Sequence, residues 1–456
     1  MITRRQFNQG VVAAALGGLA ANLNSATLFS SEKAKLSGDS QLIPDPNGIL
    51  DLPEGFSYQV ISKLDDSMND GLTVPDRADG MGCIPIDENR VVLVRNHEIP
   101  LSKKTQRASD KMQPSKVLKS YDTYASGLPV AGGTSSLVYN LQTREVEHQC
   151  MSILGTIRNC SGGVTPWGSW LTCEESVEKA SNNIGKDHGY VFEVPASARE
   201  LVDPEPIKDM GRFNHEAACV DPTTGIVYLT EDRQDSLFYR YIPNVPGKLQ
   251  AGGKLQALVV SGQPKFDTRN TTTPFMEEKQ DYSCEWIDLD NVESPEDDLR
   301  HRGFSKGAAL FARGEGIHFA DSEIYFCCTS GGKKALGQIM RYVPTPLTND
   351  QKSIEQTGTL SLFVESHNST TFNYGDNLTV SPNGHLMVCE DQYTTIVDNH
   401  LKGVTPKGEV YDFAKVRWQT EPAGVCFSPD GSVLFVNLYS PTVTLAITGP
   451  WQTFYG

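Results

Sequence analysis

The sequence lacks the short motifs that mark several common classes of hydrolase and metal site. Its ten cysteines include no Cys-x-x-Cys pair, so neither a structural zinc site nor a small disulfide scaffold is indicated. The His-Glu-x-x-His motif of zinc proteases is absent as well. Several cysteines lie inside apolar β-like runs, where we expect them to be small buried core residues.

Basic residues are also in short supply. Acidic residues outnumber them 56 to 40, which gives a formal charge of −16. Such a surface repels nucleic acids and anionic lipids, so we expect no nucleic-acid partner. Hydrophobic residues make up 38% of the chain and aromatics 9%, which is enough for a substantial core. At 456 residues, we expect either two domains or one large repetitive fold.

Long apolar runs are missing too. The apolar, alanine-rich stretch from Val11 to Ala21 is too short for a permanent membrane anchor, and it directly follows the Arg4-Arg5 pair and Phe7. This order predicts a Tat-type signal peptide over residues 1–26, with cleavage between Ala21 and Ala26. We therefore expect export through the Tat translocase to the periplasm or the cell exterior. Residues 27–50 would form a lead-in segment.

Helical periodicity is scarce beyond that stretch, and short β-like runs dominate from residue 55 onward. These runs include RVVLVRN, SSLVYNL, GYVFEVP, GIVYLTED, SLFYRYIP, GQIMRYVP, HLMVCED, GEVYDF and SVLFVNL. Residues 304–314 are predicted to be the single short helix.

A strand–turn–strand unit recurs six times, with openings at Asp79, Ser161, Asn214, Gly314, Asp376 and Glu421. This repetition predicts an all-β fold, a six-bladed β-propeller over residues 51–456 with at most short helices. Two polar stretches, 103–126 and 248–310, are predicted to be insertions at the rim. The rival architecture is one long β-sandwich or a pair of sandwiches.

Acidic residues recur at equivalent ends of these units. The strand ends are Asn96-His97-Glu98, Cys173-Glu174-Glu175, Glu231-Asp232, Thr329-Ser330 and Glu390-Asp391, and the openings are Asn214-His215-Glu216, Arg313-Gly314-Glu315 and Asp376-Asn377. One such pair alone is usually exposed to solvent. A propeller would bring all of them to one end of its channel, where they would repel one another unless cations neutralised them. Oxygen ligands suit Ca²⁺ or Fe³⁺, and a lone thiolate suits a transition metal.

These segments also carry a family resemblance. WGSWLTCEES, FNHEAACVDP, YLTED, RGEG followed by YFCCTSGG, DNLTVSPNG and FSPDGSVLFVN, in this order, resemble the PhoX-type alkaline phosphatases from about Asp51 to Pro441. The resemblance implies a six-bladed propeller whose channel holds two ferric and three calcium ions bridged by oxide. It also implies hydrolysis of small phosphate monoesters outside the cytoplasm.

The resemblance further implies roles for individual residues. Cys173 would be a thiolate ligand of iron. Glu174, Glu216 and Glu315 would be carboxylate ligands of the metal cluster. Arg313 and Asn214 would bind the phosphate of the substrate. Arg313 and Glu315 would be the catalytic residues. Calcium would be held by Glu98, Glu231, Asp232, Glu390 and Asp391. This chain departs from the family pattern at Val164, where some relatives have a lysine, and at Gly314, where proline is usual.

Two other functions remain open from the sequence. A calcium-dependent propeller lactonase or esterase would share the acidic channel but would need neither Cys173 nor Arg313. A non-catalytic exported propeller would bind a partner through its rim and hold no iron. In the phosphatase interpretation the partners are small phosphorylated substrates, and we expect a monomer without a permanent membrane anchor.

Overall fold

Short β-branched and aromatic runs separated by Gly, Pro, Asn and Asp give an almost entirely β structure. The computed structural model describes residues 41–102, 105, 119–273, 275–347, 355–392 and 394–454. The predicted signal peptide and residues 103–104 and 106–118 of the first predicted insertion lie outside these residues. No helix in the described part of the chain is both long and apolar enough to cross a membrane.

The strands follow one another along the whole described chain. They are β1 (Leu50–Asp51), β2 (Ser57–Lys63), β3 (Ala78–Pro85), β4 (Arg90–His97), β5 (Gly132–Asn140), β6 (Glu145–Thr156), β7 (Asn159–Val164), β8 (Ser169–Glu174), β9 (Val191–Pro195), β10 (His215–Val220), β11 (Val227–Glu231), β12 (Tyr239–Pro243), β13 (Gly253–Val260), β14 (Asp281–Asp288), β15 (Gly314–Ala320), β16 (Glu323–Cys328), β17 (Gln338–Pro344), β18 (Gly358–Glu365), β19 (Gly375–Val380), β20 (Leu386–Glu390), β21 (His400–Val404), β22 (Val410–Val416), β23 (Pro422–Phe427), β24 (Val433–Leu438) and β25 (Val443–Thr448). Two short α-helices are described, α1 (Leu299–Lys306) and α2 (Trp451–Phe454).

The strands pair antiparallel in five hydrogen-bonded sheets. Their orders are β3-β4-β5-β6, β7-β8-β9, β10-β11-β12-β13-β14-β18-β17-β16-β15, β1-β22-β21-β20-β19 and β2-β25-β24-β23. The first strands of the chain complete sheets that are otherwise built from its last strands. Ser57 of β2 pairs with Thr448 of β25, and Leu50 of β1 pairs with Val416 of β22.

The innermost strand of each unit contacts the innermost strand of the next. These contacts run from β3 to β7, β10, β15, β19 and β23, and β23 returns to β3. Such a cyclic arrangement confirms the predicted all-β, propeller-like fold. Because β14 joins β18, two of the six predicted units share one continuous nine-stranded sheet. The blade count of six therefore stays a prediction.

Apolar side chains pack between neighbouring sheets rather than in the centre of the ring. One cluster joins Leu171 and Val191 to Ala218 and Leu229 of the following sheet. Another joins Leu93 of the first sheet to Phe435 and Ala446 of the last. Burial between the sheets stabilises the ring, and it leaves the inner ends of the strands available for polar groups.

Two predictions about irregular regions are wrong. The helix of the middle region is α1, which ends at Lys306 because Gly307 adopts a left-handed conformation with φ +117°. It therefore lies before most of the predicted 304–314 segment, and α2 adds a second short helix. The stretch 248–310 is not wholly an insertion either, because β13 and β14 lie within it and belong to the nine-stranded sheet.

Candidate metal centre

Five of the six inner strands carry a β-bulge at the same place. The regular pairing breaks directly after Ala78, Asn159, His215, Gly314 and Gly375. The next residues are Asp79, Cys160, Glu216, Glu315 and Asp376. Bulges re-aim side chains, and here they place one acidic or thiol group per strand at one end of the ring. The sixth inner strand, β23, carries its bulge after Ala423 and contributes no such group.

These groups converge into two adjacent sets. One set consists of Glu216, Glu315 and Asp376, and the other of Glu98, Cys160 and Glu175. Within each set, one ligand atom from each residue lies within 4.8 Å of the others, and all six side chains are buried. Of the ligands predicted from the sequence, the structure thus places Glu216 and Glu315 in one set and Glu98 in the other.

Several carboxylate oxygens of this cluster have no hydrogen-bond partner among the described residues. They are both side-chain oxygens of Glu216, Oδ1 of Asp79 and Oδ1 of Asp391. A buried, unpaired carboxylate is costly unless a cation or a proton neutralises it. The donor set fits the metals that the sequence indicates, since several oxygens suit Ca²⁺ and the single thiol suits iron.

The same crowding raises the pKa of the carboxyl groups well above its usual range. For Glu216 the largest cause is burial, followed by the charges of Glu315 and Asp376. Burial and neighbouring carboxylates likewise raise the pKa of Asp79 and Asp376. This shift favours the protonated carboxyl groups when no cation is bound, so metal binding is coupled to proton release.

Each acidic pair at a strand end divides into two roles. Residues along a strand alternate in direction, so the two members of a pair face different surroundings. Glu175, Asp232 and Asp391 interact with the cluster. Their neighbours Glu174, Glu231 and Glu390 turn back into the sheets, so the structure does not bring these three predicted ligands to the metal centre.

Hydrogen bonds hold the three carboxylates that turn away, although Oε1 of Glu231 has no hydrogen-bond partner among the described residues. Glu174 accepts from His188 Nδ1 at 2.6 Å and from the Gly189 amide at 2.8 Å. Glu390 accepts from the amides of Asn373 at 2.7 Å and His400 at 2.9 Å. Glu231 accepts from the Tyr239 hydroxyl at 2.7 Å, and burial raises its pKa to about 7. These bonds hold the loops around the channel mouth.

The position expected for Cys173 is wrong. Its side chain is fully buried in an apolar cluster with Leu171 and Val191, and burial alone raises its pKa. Cys160 lies at the cluster instead, where its thiol donates to Asp79 Oδ2 at 3.4 Å. The sequence does carry a signal for Cys160. It lies two residues after Arg158, just as Glu315 lies two residues after Arg313.

Further cluster residues were not assigned from the sequence. Asp79, Glu175 and Asp376 lie in the repeats, but the sequence analysis does not predict them to be metal ligands. Glu421, at the opening of the last repeat, is hydrogen-bonded to Asp391, and burial followed by the Asp391 charge raises its pKa. Its equivalence to the other openings could have identified it.

Three arginines occupy equivalent positions at the strand openings, directly above the cluster. Arg77, Arg158 and Arg313 all have left-handed backbones, with φ of 58°, 48° and 52°. Such a conformation costs about 1–3 kcal/mol per residue and is typical of functional sites. Arg313 donates to both oxygens of Asp232, at 2.6 and 2.7 Å, and lies 3.3 Å from Glu315.

The other two arginines are tied to Glu98. Arg158 donates from Nε to Glu98 at 2.6 Å and from Nη2 to Glu175. Arg77 donates to the Tyr439 hydroxyl at 2.9 Å, and that hydroxyl donates to Glu98. Asn214, the predicted substrate-binding residue, accepts from Arg233 at 3.0 Å.

A cavity of about 680 Å³ opens at this end of the ring. Its lining includes Arg77, Glu98, Arg158, Asp391, Glu421 and Tyr439. A second cavity, of about 400 Å³, lies farther along the inner strands and is lined by Val164 among others. Val164 follows Cys160 by four residues on β7, roughly 13 Å along a strand. The departure at Val164 therefore lies away from the carboxylate cluster.

Comparison with known proteins points to one family. The family model described as "Alkaline phosphatase PhoX" matches residues 37–139 and 129–442. No curated protein matches the sequence. Among solved structures, Pseudomonas fluorescens PhoX in complex with vanadate, a transition-state analogue, is similar with 18% identity and a TM-score of 0.65. The alignment covers 88% of this chain and 96% of that one.

Two lactonase structures are similar at a lower level. The gluconolactonase XC5397 from Xanthomonas campestris has 11% identity and a TM-score of 0.40, with 86% of this chain and 90% of that chain covered. A putative 6-phosphogluconolactonase from Bacteroides uniformis has 11% identity and a TM-score of 0.38, with 84% and 89% covered.

Proposed function

This chain belongs to the PhoX alkaline phosphatase family, and from that premise we propose that it is a metal-dependent phosphatase that hydrolyses small phosphate monoesters. The observation that carries the proposal is the buried cluster of carboxylates around Glu216, whose two oxygens have no hydrogen-bond partner in the described chain. Arg77 and Arg158, which line the 680 Å³ cavity together with Glu98 and Asp391, supply donors for an anionic substrate.

Two ligand sets divide the metals between them. Glu216, Glu315 and Asp376 offer only oxygen and would hold Ca²⁺. Glu98, Cys160 and Glu175 include a thiol and would hold iron. When bound, such cations polarise phosphoryl oxygens and stabilise the negative charge that develops on the leaving group.

Arg313, which the sequence predicts to bind the substrate, would bind its phosphoryl group. Asp232 holds its Nε and Nη2, while Nη1 makes no hydrogen bond within the described residues. A guanidinium fixed in this way is preorganised to donate to a phosphoryl oxygen, and it stabilises charge that builds up there during P–O cleavage. The Glu315 carboxylate forms an ion pair with the same guanidinium.

Architecture and location complete the proposal. We count the nine-stranded sheet as two blades, because both β10 and β15 lie in the inner ring. That gives six blades in all. We further propose that the protein is exported by the Tat translocase to the periplasm or the cell exterior and works there as a monomer.

The test uses the full-length protein, exported and purified without chelator. We expect hydrolysis of p-nitrophenyl phosphate, iron and calcium by elemental analysis, and loss of activity in EDTA. A lactone substrate is the control for the lactonase alternative. Turnover of the lactone without turnover of the phosphate ester, or activity that survives complete metal removal, would overturn the proposal.

A further inference from the structure

We propose that Arg158 is a second phosphate-binding residue, which acts together with Arg313 on the same phosphoryl group. The inference rests on the proposed function and deepens it. Both arginines lie two residues before a cluster residue, Cys160 or Glu315, on different inner strands. Both also share the left-handed backbone at that position.

The two guanidinium groups are held in the same way. Arg158 uses Nε and Nη2 to bind Glu98 and Glu175, and Arg313 uses Nε and Nη2 to bind Asp232. In both residues Nη1 makes no hydrogen bond in the described part of the chain. Each guanidinium is thus fixed along one edge and retains an available donor on the other.

A continuous set of contacts places the two arginines on either side of one acidic pair. Glu175, the partner of Arg158, is in contact with Asp232, the partner of Arg313. The order Arg158, Glu175, Asp232, Arg313 therefore spans a short arc of the channel mouth. The charge of Glu175 acts on Arg313 as well as on Arg158, so both guanidinium groups lie near this one carboxylate. A tetrahedral anion can offer a different oxygen to each of them.

Access and charge support a ligand-binding role. The Arg158 side chain is 37% exposed and lines the 680 Å³ cavity, so a substrate that enters the mouth can reach it. An anionic substrate that approaches the acidic cluster is repelled until cations and arginines offset that charge. A guanidinium also matches phosphate oxygens better than a lysine ammonium does, because its donors form a planar fork.

The alternative is that Arg158 only neutralises Glu98 and Glu175. In that case its loss would lower metal content or stability and leave the affinity for phosphate unchanged. Three variants separate the two roles. Arg158→Gln removes the charge and the fork, Arg158→Lys keeps the charge without the fork, and Arg90→Gln is a control on an exposed arginine at the far end of strand β4.

The experiment measures inhibition by inorganic phosphate, KM and kcat for p-nitrophenyl phosphate, and metal content in each variant. We expect Arg158→Gln to raise Ki and KM about 10- to 100-fold, the loss of one charge-assisted contact. Arg158→Lys should show a smaller rise at full metal content, and Arg90→Gln should match the wild type.

An unchanged Ki in metal-replete Arg158→Lys and Arg158→Gln would overturn the inference and leave the phosphatase proposal intact. A wild-type protein that neither hydrolyses the ester nor binds inorganic phosphate would instead refute the proposed function itself. If Arg158→Gln loses its metals, Arg158→Lys decides between the roles, because its charge remains next to Glu98 and Glu175.

Discussion

The thiol of Cys160 lies 3.4 Å from Oδ2 of Asp79, in the midst of the buried carboxylates. Cys173 lies in the neighbouring strand but packs against hydrocarbon. The pair therefore offers a matched experiment on the iron site. Both are buried cysteines of the same sheet, and only one is positioned to bind a metal.

We expect Cys160→Ser to abolish both iron binding and phosphatase activity, because a serine hydroxyl is a poor substitute for a thiolate. Cys173→Ser should retain iron and activity and lose about 1–3 kcal/mol of stability from the buried hydroxyl. Elemental analysis and thermal melts read out the two effects. If only the Cys173→Ser variant lost iron, Cys173 rather than Cys160 would be the iron ligand.

Removing one charge from the oxygen-only set should have opposite effects with and without metal. Glu216→Gln removes a carboxyl group whose ionisation is opposed by burial and by the charges of Glu315 and Asp376, so the metal-free protein should gain about 1–3 kcal/mol of stability. Calcium should add little to the stability of this variant, whereas it should stabilise the wild type strongly. The melting temperatures in EDTA and in calcium test this. A metal-free variant less stable than the metal-free wild type would contradict it.

His188 should make the protein less stable at alkaline pH. Burial lowers its pKa, but Glu174 and Asp122 outweigh burial and raise the pKa to about 9, above the ordinary histidine value of 6.5. The imidazolium therefore contributes its full stabilisation, about 3 kcal/mol, below pH 6.5 and loses it as the pH rises through 9.

Comparing His188→Gln with the wild type isolates this contribution. The difference in their free energies of unfolding should be large at pH 6 and should shrink towards pH 10. Denaturant titrations at several pH values measure it. A difference that stays constant over this range would show that His188 is neutral in the folded protein.

Arg313 tests the geometry of substrate binding. Arg313→Lys keeps the positive charge but cannot donate to both oxygens of Asp232 while also reaching a substrate. We expect kcat/KM for p-nitrophenyl phosphate to fall about 10- to 100-fold at unchanged metal content. Steady-state kinetics with parallel elemental analysis provide the comparison, and wild-type kinetics in the variant would remove Arg313 from the reaction.

The repeated strand–turn–strand pattern was sufficient to predict the ring and the convergence of Glu98, Glu216 and Glu315. It could not identify the partner of each side chain. Which member of a pair such as Glu174-Glu175 faces the channel depends on the direction of each residue at the strand end. The two glutamates after Cys173 favour it as the thiolate ligand, whereas Cys160 is indicated only by its place two residues after Arg158. The bulge after Asn159, which directs Cys160 to the cluster, is visible only in the structure.

Pairing of β2 with β25 brings residues from the two ends of the described chain into one sheet. Until Ser57 meets Thr448 the sheet of β23, β24 and β25 lacks its outer strand. A nascent chain still emerging from the ribosome therefore cannot complete this sheet, however much of the ring it has already folded. Synthesis of β25 thus sets the earliest moment at which the last sheet can be completed.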